Sequence, residues 1–196
     1  MMTNTCIIGY INKEKKEMYM MGDSAGVSGL NITTRKDTKV FERRINGKPM
    51  LMGFTTSFRM GQILMFCDLP QYSGEDPFEY MVKRFIPCII REFTEGKYIR
   101  SFDEDGKKDQ KAGGTFLVAF EGRLFLIADD FQVGEDVELF SSVGCGASYA
   151  KASLTTMDKL GIKYSKEERM KLAMEVVAYK SGGVVEPFNL ITCKYD

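Results

Sequence analysis

Histidine is missing from all 196 residues. That absence removes the Ser-His-Asp triad, the Cys-His dyad and every histidine-ligated metal site at once. Any proton taken up in a reaction must go to a carboxylate, a lysine, a tyrosine, a thiolate or an α-amino group. Net charge is missing too. The 27 Lys and Arg balance the 27 Asp and Glu, so no overall positive field recruits nucleic acid or a membrane surface, and neither is an expected partner. No run is long and apolar enough to span a bilayer, and Met1-Met2-Thr3-Asn4 does not open a basic-then-apolar secretory signal. Cys6, Cys67, Cys88, Cys145 and Cys193 form no CxxC pair. Their odd number and apolar surroundings fit a reduced, cytoplasmic protein better than a disulfide framework. Internal repeats and low-complexity tracts are absent, and no cofactor or metal is expected.

What is present suits one globular domain over residues 1–196, with 44% hydrophobic residues to build its core. Thr5 to Ile11 reads as a buried strand, Asn12 to Lys16 as a polar turn, and Glu17 to Gly22 as the returning strand. A glycine- and serine-bearing loop is expected from Ser24 to about Asn31. Lys39 to Ile45 and Pro49 to Phe54 form a second hairpin around Asn46-Gly47, residues that tolerate the positive φ of a tight turn. Two helices follow. The first runs from Ser57 to Leu69 and stops at Pro70. The second starts at Asp76-Pro77, an N-cap with proline at the first helical position, and continues to about Phe93 with a kink at Pro87.

The segment from Phe102 to Gly114 is the most polar of the chain and reads as an exposed, mobile loop. Strands resume at Thr115 to Phe120, Arg123 to Ala128 and Val137 to Val143. Gly146 to Leu160 is a small-residue helix, and Ser165 with Glu168 makes a capping box for a second. Val184 to Cys193 is a final strand. Strands grouped with strands, and helix pairs with helix pairs, argue against a parallel βαβ sheet. The pattern predicts an α+β fold: a four-layer α/β/β/α sandwich of two antiparallel sheets, each covered by a helix pair.

The motifs converge with this order of elements. Thr5-Cys6-Ile7-Ile8-Gly9 resembles the mature start of proteasome β-type subunits and their HslV-like relatives, which are N-terminal-nucleophile (Ntn) hydrolases. Gly22-Asp23-Ser24 is similar to their aspartate after the second strand, and Lys39-Val40-Phe41 to their catalytic-lysine strand. Met52-Gly53-Phe54-Thr55-Thr56 falls at their oxyanion turn, and Val143-Gly144-Cys145-Gly146-Ala147-Ser148 resembles their glycine-serine-glycine turn. The resemblance covers nearly the whole chain. It implies a threonine peptidase in a ring-shaped homo-oligomer that cuts unfolded polypeptide, with an ATPase as an optional partner.

It also implies roles. Thr5, once terminal, supplies Oγ as nucleophile, and its α-amine, with an ordinary pKa of about 7.7–8.0, serves as base. Lys39 stabilises the developing alkoxide, Asp23 holds the lysine, and the Thr56 N–H receives the oxyanion. Phe54 and Ser24 fall among substrate-binding positions. Cys145 stands where the family has a serine near the terminal amine. Ser181 is the nearest polar substitute for a late aspartate that has no match here.

Further departures are visible. Met1 to Asn4 precede Thr5, so its nitrogen is an amide until they are removed, and Asn4 replaces the glycine usual before the nucleophile. Thr56 replaces a glycine, and Met60 an acidic residue. Simpler readings stand beside the catalytic ones: Thr5 as a strand-starting residue, Asp23 and Lys39 as a structural ion pair, Cys6 and Cys145 as packing residues. Two functions of other kinds also remain, an inactive ring subunit and a small-molecule amidase.

Overall fold

The computed structural model describes residues 5–28, 31–98, 100–104 and 107–196. Met1–Asn4 and residues 29–30, 99 and 105–106, which include parts of the expected 24–31 and 102–114 loops, lie outside these residues. β1 (Cys6–Asn12) turns through a polar tetrad into β2 (Glu17–Gly22). β5 (Val40–Ile45) and β6 (Lys48–Phe54) join through Asn46 and Gly47, both at positive φ of 52° and 82°, the mirror-image turn that matches strand twist.

Between these hairpins the predicted Ser24–Asn31 loop is instead a two-stranded ribbon, β3 (Ala25–Ser28) against β4 (Asn31–Thr34). The four residues of β4 are all exposed, so the strand never displays the apolar alternation by which a sequence announces one.

Helix α1 (Phe58–Phe66) starts at the Ser57 cap and stops three residues short of the expected Leu69. Arg43 of the neighbouring strand causes the stop. Its guanidinium donates to the carbonyls of Leu64, Met65 and Cys67, each at 2.8 Å, and so satisfies the last turn before the chain reaches Pro70. Asp76 caps α2 (Pro77–Tyr80) by accepting from the N–H groups of Phe78 and Glu79. Continuing α2, a π-helical turn (Met81–Phe85) runs into α3 (Ile86–Glu95), with the Ile86 N–H reaching back to Met81 O. The irregularity expected from Pro87 is thus a widened turn that absorbs the missing donor.

The polar Phe102–Gly114 stretch also departs from expectation. It holds the end of β7 (Arg100–Glu104) and all of β8 (Lys107–Lys111), which pair antiparallel. β9 (Phe116–Phe120), β10 (Arg123–Ile127) and a short unpredicted β11 (Val133–Glu135) follow. β12 covers Phe140–Gly144 and begins three residues later than Val137. α4 (Ala147–Lys159) and α5 (Lys166–Lys180) come next, the latter with the complete Ser165/Glu168 capping box. β13 (Asn189–Lys194) closes the chain, starting later than the predicted Val184.

One sheet has the order β12-β1-β2-β13 and the other β11-β10-β9-β6-β5, with every pairing antiparallel. Three apolar clusters mark the three interfaces of a four-layer sandwich. Ile7, Met20, Leu51 and Leu117 fill the space between the sheets. Phe54, Leu64, Ile89 and Phe116 join the second sheet to α1 and α3. Ile8, Leu154, Met170 and Val177 join the first sheet to α4 and α5. Sheet-to-sheet contact is close enough that a Cβ on Gly53 would come within 2.4 Å of Ile7 Cγ2. The α/β/β/α expectation holds. No helix among the described residues is long and apolar enough to cross a membrane.

Candidate active site

One end of the sandwich gathers the ends of β1, β2 and β12 and the start of β5. Thr5 immediately precedes β1, Asp23 immediately follows β2, and Lys39 immediately precedes β5. The Lys39 ammonium donates to Thr5 Oγ1 at 2.9 Å and to Asp23 Oδ2 at 2.8 Å. All three residues are nearly inaccessible, Thr5 and Lys39 at 3% exposure and Asp23 at 0%. Asp23 also accepts from two backbone N–H groups, of Cys6 and Ala25, both at 3.0 Å. One carboxylate therefore ties β1, its own segment and the lysine into a rigid unit.

Burial pushes the Asp23 carboxyl up from its ordinary 3.8, while the Lys39 ammonium and the two N–H groups pull it back. The upward direction has two consequences of opposite kind. An enzyme that needs ionised Asp23 to hold Lys39 loses activity at a higher pH than an ordinary aspartate would dictate. For stability the sign reverses. The native state binds this proton more readily than the unfolded chain, so Asp23's contribution is largest at low pH and falls as pH rises through the window above 3.8. We expect any activity that depends on this ion pair to be lost on acidification while circular dichroism still reports the folded state. Coincident loss of the two signals counts against this assignment of Asp23.

On the other side of Thr5 lies the turn after β12. Thr5 N–H donates to Cys145 Sγ at 3.3 Å, the same sulfur lies 3.4 Å from Thr5 O, and Ser181 Oγ is 3.3 Å away. The turn needs glycine here. Gly144 has φ +101°, and a Cβ on it would sit 2.2 Å from Thr5 O. Cys145 is exposed, unlike Cys6, whose fully buried thiol is pushed up to about 12 chiefly by desolvation. That position leaves Cys6 a protonated packing residue at neutral pH.

The turn between β6 and α1 supplies the third wall. Thr56 holds φ +69°, a strained value for a β-branched residue, worth about 1–3 kcal/mol. Thr55 anchors it: its N–H and Oγ1 both donate to Thr115 O, at 3.1 and 2.8 Å, and its Oγ1 accepts from Thr115 N at 3.2 Å. The Thr56 N–H has no hydrogen-bond partner among the described residues.

Thr5, Asp23, Lys39, Cys145 and Ser181 therefore converge, with the Thr55-Thr56 turn nearby. Two other expected residues are placed differently. Phe54 is 1% exposed, its ring packed on Phe41 and Phe58 and seated against Gly61. Ser24 is engaged inside the protein, donating to Pro187 O at 2.6 Å and accepting from Asn189 at 2.7 Å. The aromatic ring that reaches the site is Phe58, with Lys39 Nζ 5.8 Å from its centroid. None of the sequence motifs singles out Phe58. Only its position two residues after Thr56 could have pointed to the site. Among the described residues no group of three or more Cys, Asp or Glu side chains could hold a metal ion.

Solved structures of similar fold include BPH of Thiobacillus denitrificans, at TM-score 0.72 and 16% identity, covering 98% of each chain. Eukaryotic HslV from Trypanosoma brucei aligns at TM-score 0.64 and 17% identity over 97% of this chain and 99% of that one. A structure described as the helical assembly of the Anbu complex from Pseudomonas aeruginosa aligns at 0.65 and 12%, over 98% and 82%. No family model and no curated protein matches the sequence. The likeness is one of architecture: the chain has the proteasome-like Ntn-hydrolase fold.

Proposed function

We propose that this fold carries a threonine peptidase of the proteasome and HslV kind, with Thr5 as nucleophile after residues 1–4 are removed. The observation that carries the reading is the Lys39 ammonium held between Thr5 Oγ1 and Asp23. Thr5 Oγ attacks the substrate carbonyl carbon and its proton passes to the freed α-amine. Lys39 favours the alkoxide, and the unpartnered N–H of strained Thr56 receives the tetrahedral oxyanion. Collapse breaks the C–N bond, the departing amine takes the proton, and an ester on Thr5 remains. Water then attacks that ester and restores the hydroxyl. Cys145, 3.3 Å from the Thr5 nitrogen and backed by Ser181, positions the amine.

The substrate in this reading is unfolded polypeptide, reached inside a ring of like copies, with an ATPase as an optional feeder. The Anbu complex of Pseudomonas aeruginosa is a helical assembly, so electron microscopy is needed to separate ring from helix for this chain. A cytoplasmic location belongs to the same proposal and rests on five free thiols.

A second reading, an inactive structural subunit, is favoured by one fact: in the chain as written the Thr5 nitrogen is bonded to Asn4 and is no base. Preparing two forms, one beginning at Thr5 and one retaining residues 1–4, tests both readings. Intact mass establishes each terminus, and fluorogenic peptides report hydrolysis. The peptidase reading expects turnover by the Thr5-terminal form alone. Silence from that form supports the structural subunit, and equal turnover by both removes the α-amine from the mechanism.

A further inference from the structure

We propose that Arg35 makes this site selective for an acidic side chain on the residue whose carbonyl Thr5 attacks. The inference rests on the peptidase reading above and adds to it the class of bond cut.

Arg35 follows β4 and is held from four directions. Its backbone N–H donates to Ser24 O at 3.0 Å, beside Asp23. Its guanidinium carbon lies 3.9 Å from the centroid of the Phe58 ring, whose other contacts are Phe54 at 5.6 Å and the Lys39 ammonium at 5.8 Å. Its stem runs along Gly26, where a Cβ would come within 2.8 Å of Arg35 Cδ. Nε and Nη2 fork the Asp37 carboxylate at 2.8 and 2.6 Å. An arginine on a surface ribbon normally samples many rotamers, and ordering it costs up to about 2 kcal/mol. Here stacking, fork and glycine fix it at the mouth of the site, while 39% of its side chain stays open to solvent.

The Asp37 pair uses only one edge of the guanidinium. Five N–H donors exist and two go to Asp37, so the end-on pair of Nη1 and Nη2 faces no acceptor among the described residues. That edge matches a carboxylate bidentately. Phe58 spans the space between Lys39, at the nucleophile, and Arg35. A side chain attached to the carbonyl under attack would cross the ring with its methylene groups and present its end to the open fork. Glutamate has both the methylenes and the charge. Asp37 tempers the field without occupying the recognition edge, so selectivity comes from geometry more than from net charge.

The test compares two peptides that differ only in Glu or Gln before the scissile bond, using the Thr5-terminal form. The expected ratio of kcat/KM is about tenfold in favour of Glu, the size of one charge-assisted hydrogen-bonded pair. Arg35→Gln should abolish that preference and Arg35→Glu should invert it. Lys36→Gln, a charge change on the neighbouring exposed residue, should leave the ratio unchanged. A ratio indifferent to Arg35, or equally sensitive to Lys36, overturns the proposal. Binding of the same peptides to the Thr5→Ala variant, followed by fluorescence anisotropy, reads the preference without catalysis. Hydrolysis absent with the Glu preference present in binding would defeat the peptidase reading alone. Equal binding of the two peptides, or none, defeats the assignment of Arg35.

Discussion

Thr5→Ala, in protein beginning at residue 5, is expected to lower peptide hydrolysis by about four orders of magnitude or more while leaving the fold intact. The size follows from the nature of the loss. Without Oγ there is no bond to carbon, and the ester route closes altogether. What remains is water acting beside the Thr56 N–H and the Lys39 ammonium. The structural cost is small by comparison, because one hydrogen bond to Lys39 disappears, worth about 1 kcal/mol. Thr5→Ser keeps the hydroxyl and should keep most of the activity. Steady-state assays with the fluorogenic peptides, alongside thermal melts, measure both sides. Undiminished hydrolysis by Thr5→Ala would move the chemistry to another residue, whatever the proximity of Lys39.

Asp23→Ala should have the largest effect on stability, about 3–5 kcal/mol. Its carboxylate is inaccessible, pairs with a lysine that is equally buried, and also satisfies the N–H groups of Cys6 and Ala25. Removing it leaves an ammonium and two amide donors in a dry interior, where no screening softens the loss. A typical domain has only about 5–15 kcal/mol in total, so the variant should sit near its folding threshold. Adding Lys39→Met should restore part of the stability by removing a buried charge that has lost its carboxylate. Urea titrations of the single and double variants decide the matter. A midpoint unmoved by Asp23→Ala would show the pair to be energetically idle.

Much of this arrangement was legible in the residues. Thr5, Asp23 and Lys39 each flank a strand, and strand ends are where a sandwich can bring distant segments together. The Asn46-Gly47 turn and the Ser165 capping box announced themselves through local chemistry that tertiary contacts need not supply. The two ribbons β3/β4 and β7/β8 were invisible for the converse reason. They stand outside both main sheets, and their short, mostly polar sequences carry too little apolar alternation to announce a strand.

Phe54 illustrates a different limit. Its place in the motif suggested contact with substrate, but the glycine at position 61 opens a seat beneath it and the ring is drawn into the core. Its neighbour Phe58 is left at the mouth. The stacking of Arg35 on that ring joins residues 23 positions apart across the whole β5–β6 hairpin, and no local pattern in the sequence pairs them.

Thr5 precedes the first strand, whereas the sulfur that touches its nitrogen lies 140 residues further along, and Ser181 follows α5. A nascent polypeptide emerging from the ribosome has translated Thr5, Asp23 and Lys39 long before it has translated Cys145. Contacts of such sequence separation form late, since a large loop must close first. In the proposed peptidase the contacts of Cys145 and Ser181 with Thr5 are therefore completed late, as is the pairing of β13 on β2, so a half-made chain lacks a finished site.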